Sequence, residues 1–249
     1  MKLDLQQLSL SLLPTVDVRE LIARCIEEDG GMGGDVTTRS IIEPDTHGKF
    51  ALHVRGSGII AGLEPLSRAM DVFDGLQLQL VHRDGDRVRD EIIATLQGPL
   101  YSVFVAERTL LNILGHASGI ATTTRNFVDA IAQTKCVVCD TRKTTPGLRQ
   151  LDKYAVVCGG GTSHRLGLHD AALYKDNHQA GLADFSAQLN DAIIKVKTDH
   201  QVRFVEIEVD SLEQLKKVLM IPVDIVLLDN MSPSQLKEAV SIRDNATLQ

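Results

Sequence analysis

Between Thr141 and Lys175 the sequence sets six lysines and arginines against two aspartates, in a chain whose formal net charge is −7. Arg142, Lys143, Arg165 and Lys175 stand beside glycines and short turns, where a solvated helix face does not account for all of them. An arginine fork recognises a carboxylate bidentately, and a lysine adds a point charge. Further along, Glu206, Glu208 and Asp229 lie at the ends of short apolar runs. Glu206 and Glu208 are two apart, which puts them on one face of a strand. Carboxylates facing cations make sense when a cation, Mg²⁺ for a phosphate ester, bridges them to the substrate. The chemistry so implied is a site for one anionic organic acid and one metal-complexed phosphate ester.

Other residue patterns carry less. The "CVVC" of residues 136–139 has redox or zinc spacing, but it lies in an apolar run that reads as a strand. An offset of three there sends the two thiols to opposite faces. No second Cys or His pair stands nearby, so the four cysteines read as buried thiols. "GGGTSHR" fits neither the dinucleotide fingerprint nor the P-loop. "GHASG" lacks the Gly-x-Ser-x-Gly order of a hydrolase elbow, which excludes a serine nucleophile of that kind. His47, His53, His82 and His200 are scattered and form no ligand pattern.

The elements that must position the charges follow from periodicity. Residues 17–29 read as an amphipathic helix running into the glycine-rich "EEDGGMGGDVTT", a flexible loop. "GKFALHVRG", "LQLQLVHRDGDRV" and "EIIATLQG" read as strands, the second passing through a DG turn, with "LEPLSRAMDVF" as a helix between them. From Leu100 to Ala132 apolar residues recur at three- and four-residue spacing, the mark of a long helix. After Lys135 short apolar runs alternate with helices: "CVVCD", "LRQLDKYAVV", "AALYKDN", "FSAQLNDAIIKVKT", "RFVEIEVD", "LEQLKKVL", "DIVLLDN", "PSQLKEAVSI". Ser211 with Gln214 and Ser232 with Gln235 have capping-box spacing, and Pro233 suits a first helical turn.

The fold class is therefore α/β: an N-terminal α+β domain, residues 1–115, followed by a β/α barrel domain, residues 116–249. Four βα units are counted, with "ATLQ" as the opening of a fifth strand, so the barrel is expected to be open and short of its last strands. In such architectures functional groups gather at the C-terminal ends of strands. That rule selects Asp140, Thr141, Arg142 and Lys143 from the first strand and Lys175, Asp176 and Asn177 from the second. The third contributes Glu206 and Glu208, the fourth Asp229 and Asn230.

Composition bounds the function. With 43% hydrophobic residues, no tryptophan and 4% aromatics, the core is built from aliphatic side chains. No run of about eighteen apolar residues is present, which argues against a membrane span. An acidic chain without a basic tail argues against nucleic acid. The polar-interrupted N-terminus is unlike a signal peptide, so a cytoplasmic protein is expected.

Six strings, in order, carry a resemblance: "ERTLLNILGHASGIATTT", "DTRKTTPGLRQLDKYAV", "GGGTSHRLGL", "ALYKDNH", "VEIEVDSLEQL" and "IVLLDNMSP". Together with "EDGGMGGDVTT" they resemble quinolinate phosphoribosyltransferase over essentially the whole chain. The resemblance implies transfer of the phosphoribosyl group of 5-phosphoribosyl 1-pyrophosphate to quinolinate, yielding nicotinate mononucleotide, CO₂ and pyrophosphate for NAD biosynthesis. It implies that Arg108, Thr141, Arg142, His164, Arg165 and Lys175 bind substrate, the cations among them holding the carboxylates, with Lys143 beside them. Lys143 and Lys175 would stabilise the decarboxylation. Glu208 and Asp229 would stand at the ribose and Mg²⁺–pyrophosphate side, touching the metal through pyrophosphate or water. It further implies a homodimer with shared active sites, Arg108 coming from the neighbouring subunit. Ser163 departs from the family's usual Asn, and little change is expected from it. The family's Ser-Gly-Gly loop and Val-Gly-Ala-Leu-Thr segment, which cradle the 5-phosphate, would lie past Gln249. Two other readings stand beside this one: a truncated or non-catalytic relative that binds quinolinate or only dimerises, and a phosphoribosyltransferase-like protein of molybdenum transport operons.

Overall fold

A computed structural model describes residues 16–175, 178, 185–198 and 202–246. They fall into two compact units, one within residues 4–164 and one from residue 165 onward.

In the first unit, helix α1 (Arg19–Gly30) is followed by the short α2 (Val36–Ile41). The glycine-rich stretch expected to be a loop thus contains a helix turn. Asp35 explains it: its carboxylate accepts the Thr37 and Thr38 amides, 3.0 Å each, as an N-cap. Strands β1 (His47–His53), β2 (Ser57–Ile59), β3 (Gln77–Leu80), β4 (Arg87–Arg89) and β5 (Ile92–Pro99) form two antiparallel sheets. β5 lies between β1 and β3, and β2 pairs with β4. The DG turn therefore does not close a hairpin of its own flanks. Gly85, at φ +92°, hands the chain from one sheet to the other. Between β2 and β3 comes helix α3 (Leu63–Arg68) and a 3₁₀ turn.

Helix α4 (Leu100–Ala130) is the spine of this unit. Val103, Ala106, Leu110, Ile113, Ala117 and Ala121 repeat at three- or four-residue spacing and are all buried, so one stripe faces the core. Helix α5 (Arg149–Cys158) adds Leu151 and Ala155 to the same core. The glycines after it are demanded by packing. A Cβ on Gly159 would sit 2.4 Å from the Ala121 carbonyl oxygen, and one on Gly161 would sit 2.6 Å from Val156. Close approach of α5 to α4 accounts for these glycines without a phosphate.

In the second unit, β6 (Ala172–Tyr174), β7 (Val205–Val209) and β8 (Ile225–Leu228) form a parallel sheet in sequence order, with β7 central. Helices α6 (Phe185–Lys197), α7 (Leu212–Val218) and α8 (Pro233–Ala246) alternate with them. Leu189 and Ile193 pack with Val205, Ile207 and Val209, and with Leu215, Val218 and Ala239. Both capping predictions hold in outline. Ser232 N donates to Gln235 Oε1 at 2.9 Å, whereas Gln214 Oε1 accepts from Asp210, one residue earlier than the simple box.

One expected strand is reduced. "CVVCD" makes a single parallel bridge, Cys139 to Thr162, with Thr162 N donating to Val138 O at 2.8 Å and Asp140 N to Thr162 O at 3.0 Å. Cys136 and Val137 are exposed, and an apolar run without a covering neighbour has nothing to hold it extended. The molecule is thus mixed α/β: small antiparallel sheets first, then an open parallel α/β sheet among the described residues.

Candidate functional site

The predicted residues divide between the units. Thr141, Arg142, Lys143 and His164 belong to the first, and the structure brings their segments together. Asp140 is the junction. Its carboxylate accepts the Lys153 ammonium, the His164 amide at 2.9 Å and the Ser163 hydroxyl at 3.0 Å. Asp140, which the strand-end rule placed among the substrate-facing groups, is turned inward instead. The side chains of Lys153 and Asp140 are 2% and 4% exposed, so this ion pair is nearly dry.

From that junction the loop runs outward. Thr141 Oγ1 accepts the Lys143 amide at 2.9 Å, folding the loop into a tight turn. Thr141 and Lys143 are exposed and Arg142 is half-buried. The Arg142 Nε is buried and has no hydrogen-bond partner. The far side of the loop is tied by Asp152, which accepts the Thr145 amide at 3.0 Å and pairs with His116 Nε2 at 2.7 Å. Arg108 is exposed on α4. Among the described residues, Arg108, Arg142 and Lys143 make no ion pair with any carboxylate.

The second unit carries Arg165, Lys175, Glu208 and Asp229. Lys175 directly follows β6, Glu208 is the fourth residue of β7, and Asp229 directly follows β8. Parallel pairing puts these three at the same end of the sheet, with Glu208 opposite Leu227 and Val209 opposite Leu228. Lys175 Nζ donates to Glu208 Oε2, the lysine side chain 40% and the glutamate 16% exposed. Asp229 is held by its own amide donating to Val209 O at 2.9 Å and is exposed. Asn230 beyond it adopts φ +54°, a left-handed conformation that asparagine tolerates, so the chain turns sharply there. Glu206, two residues before Glu208, is 3% exposed and belongs to the interior. Arg165 is 9% exposed. Asp176 and Asn177 lie outside the described residues.

The loop after Arg165 is fastened by Asp170, which accepts the Leu166 and Gly167 amides at 2.8 Å each and pairs with Arg203. Burial pushes the Asp170 carboxyl up. The two amides and the guanidinium outweigh it, and the carboxyl sits below its ordinary value.

Sequence reasoning missed the supports rather than the cations. Lys153, Asp152 and His116 sit on helices whose periodicity announces only a core face. A charged pair inside "LRQLDKYAVV" looks like a solvated stripe until the helix is packed. Asp84 is another such residue: it caps α3 through the Leu63 and Glu64 amides and accepts the Tyr154 hydroxyl at 2.7 Å.

A β/α scaffold with lysines, arginines and carboxylates at strand ends and tight loops defines an anion-binding class of protein. Comparison with known proteins makes this specific. The family model described as quinolinate phosphoribosyl transferase, N-terminal domain, matches residues 35–118, and its C-terminal domain model matches residues 120–249. The nicotinate-nucleotide pyrophosphorylase [carboxylating] of Mycobacterium leprae is 41% identical, over 91% of this chain and 80% of that protein. A probable counterpart from Bacillus subtilis is 34% identical, over 89% of this chain and 76% of its own length. The solved nicotinate-nucleotide pyrophosphorylase from Francisella tularensis superposes with a TM-score of 0.84 at 34% identity, covering 95% of this chain and 83% of that one. The chain belongs to the quinolinate phosphoribosyl transferase family.

Proposed function

We propose that the chain is a pentosyltransferase that joins quinolinate to 5-phosphoribosyl 1-pyrophosphate, giving nicotinate mononucleotide, CO₂ and pyrophosphate in NAD biosynthesis. The observation that carries this, beside family membership, is the set of cations without protein partners. In an acidic chain, Arg142, Lys143 and Arg108 have no carboxylate of their own among the described residues. A pyridine dicarboxylate supplies two. Arg142, His164 and Arg165 hold those carboxylates with Arg108, Thr141 and Lys175, and Lys143 stands beside them.

Holding the ring by both carboxylates aims its nitrogen at the anomeric carbon of the ribose. The N–C bond forms as the bond to pyrophosphate breaks, and no covalent enzyme intermediate is needed. The bond from C2 of the ring to its carboxylate then breaks, releasing CO₂. The electron pair left on C2 lies beside the cationic ring nitrogen, takes up a proton, and restores the neutral C–H. Lys143 and Lys175 stabilise this step by charge alone. Glu208 orients Lys175 through their ion pair and, with Asp229, faces the ribose donor.

Mg²⁺ is the expected metal, and when bound it would supply positive charge for the pyrophosphate leaving group. Among the described residues no three His, Cys, Asp or Glu gather to cage a metal, and Glu208 is engaged by Lys175. This donor set fits an ion that enters with the diphosphate, with Glu208 and Asp229 reaching it through pyrophosphate or water.

The same reading makes the enzyme a homodimer with shared sites, located in the cytoplasm. Phe104, Arg108, Leu111 and Gly115 form an exposed stripe on α4 at three- and four-residue spacing, with Phe50 packed against Phe104 at 6.1 Å between ring centres. A second copy of the chain is the occupant that covers this stripe. Among the described residues no helix is long and apolar enough to cross a membrane.

The direct test is product formation from quinolinate, 5-phosphoribosyl 1-pyrophosphate and Mg²⁺, read as nicotinate mononucleotide by mass spectrometry. Product that forms with the unmodified chain and falls roughly ten- to a hundredfold or more in rate in Arg142→Ala is expected. A folded chain that yields none would overturn the reading.

A further inference from the structure

The Asp140–Lys153 pair is used by none of the steps above, and its placement is unusual. Lys153 is among the largest fully buried side chains of the described residues, and it sits on α5 between Leu151 and Ala155, which belong to the apolar core. Burying an ion pair recovers less from mutual attraction than the two charges lose in leaving water, so such a pair is a poor stabilising device. What it does provide is geometry. A carboxylate has two oxygens with fixed directions, and at Asp140 both are in use. One takes Lys153 and the His164 amide, and the other takes the Ser163 hydroxyl. Asp140 N and the Val138 carbonyl add two backbone hydrogen bonds to Thr162. One side chain therefore sets the separation between the Thr141–Arg142–Lys143 turn and His164, and Lys153 sets the side chain.

We infer that Lys153 is a positioning residue for quinolinate: through Asp140 it holds Arg142 and His164 at the spacing that the substrate's carboxylates require. This rests on the reading of Arg142 and His164 as carboxylate-binding groups. Lys153 touches no substrate itself. Ser163 belongs to the same device, since its hydroxyl satisfies the second oxygen of Asp140 and so keeps the carboxylate from rotating.

The test separates positioning from mere folding. Lys153→Met alone leaves Asp140 buried without its counter-charge, and that variant is expected to lose stability. The double variant Lys153→Met/Asp140→Asn removes both charges, keeps an amide oxygen to accept the His164 amide and sets an NH2 group to donate to the Ser163 hydroxyl. It is expected to fold, with a melting temperature close to the wild type's. Quinolinate affinity, measured by calorimetry on the full chain without the ribose donor, is expected to fall at least tenfold. The KM for 5-phosphoribosyl 1-pyrophosphate is expected to change less than twofold. A double variant that binds quinolinate as tightly as the wild type would show that the pair has no positioning role. One that weakens both substrates equally, or that does not fold, would make the pair a general structural requirement and also overturn the inference. Failure of the underlying reading is distinguishable, because the unmodified chain would then bind no quinolinate.

Discussion

At the scale of single residues, the site is a matter of which charges have partners. Arg142 keeps a buried Nε without a hydrogen bond, and under the proposed function a quinolinate carboxylate supplies the acceptor its guanidinium lacks. A charge-assisted hydrogen bond contributes about 1.5–3 kcal/mol, so the Arg142→Ala control should lower kcat/KM for quinolinate by roughly ten- to a hundredfold or more. Asp170 behaves in the opposite way, being saturated by two amides and Arg203. Its folded pKa lies below the ordinary value of 3.8, so the folded chain binds the proton less readily than the unfolded one. The stability it contributes is whole above the unfolded pKa and is lost as pH falls through the folded one. Denaturant titrations from pH 6 downward should therefore show a steeper decline for the wild type than for Asp170→Asn once the pH drops below about 4. Parallel curves for the two proteins would exclude Asp170 as the acid-sensitive fastening of the loop after Arg165.

At the scale of elements, the decisive contact is α5 against α4. The helices meet where Gly159 leaves no room for a side chain, and the backbone there has an ordinary φ of −73°. Replacing Gly159 by alanine thus costs nothing in backbone conformation but drives a methyl into the Ala121 carbonyl. Overpacking of this kind costs about 1–3 kcal/mol. Gly159→Ala should lower the melting temperature by several degrees. It should also weaken quinolinate binding, because α5 carries Lys153 and Asp152, which hold the 140–145 loop. An unchanged melting temperature would mean that the two helices separate easily and that their close approach does not govern the loop.

At the scale of the whole molecule, the question is how many chains make one site. Arg108 is exposed on α4 within a partly apolar stripe, and Lys175 lies at the sheet end of the other unit. If one chain lends Arg108 to its partner, Arg108→Ala and Lys175→Ala proteins are each inactive. Denatured together and reassembled, half of the dimers are mixed, and each mixed dimer has one intact site. The mixture should then recover about a quarter of wild-type activity, by the statistics of a twofold assembly. No recovery from a mixture that sediments as a dimer would rule out shared sites.

The sequence by itself determined the helices, the parallel rhythm after residue 170 and the identity of the cations. Those follow from local periodicity, capping pairs such as Ser232 with Gln235, and residue type, all readable within a dozen neighbours. The common placement of Lys175, Glu208 and Asp229 at one end of the sheet was legible because successive parallel strands all end on the same side whatever the details of packing. Only the tertiary structure decided which charges face inward. Asp140 and Lys153 are thirteen residues apart, and His116 and Asp152 are thirty-six apart. No periodicity links such partners, since their meeting depends on how α5 packs against α4 and against the segment that carries Asp140. For the same reason "CVVCD" reads as a strand and yet forms one bridge, and "LQLQLVHRDGDRV", read as a strand run passing through a DG turn, divides between two sheets. A strand exists only where a neighbour pairs with it, and that neighbour is chosen by the fold.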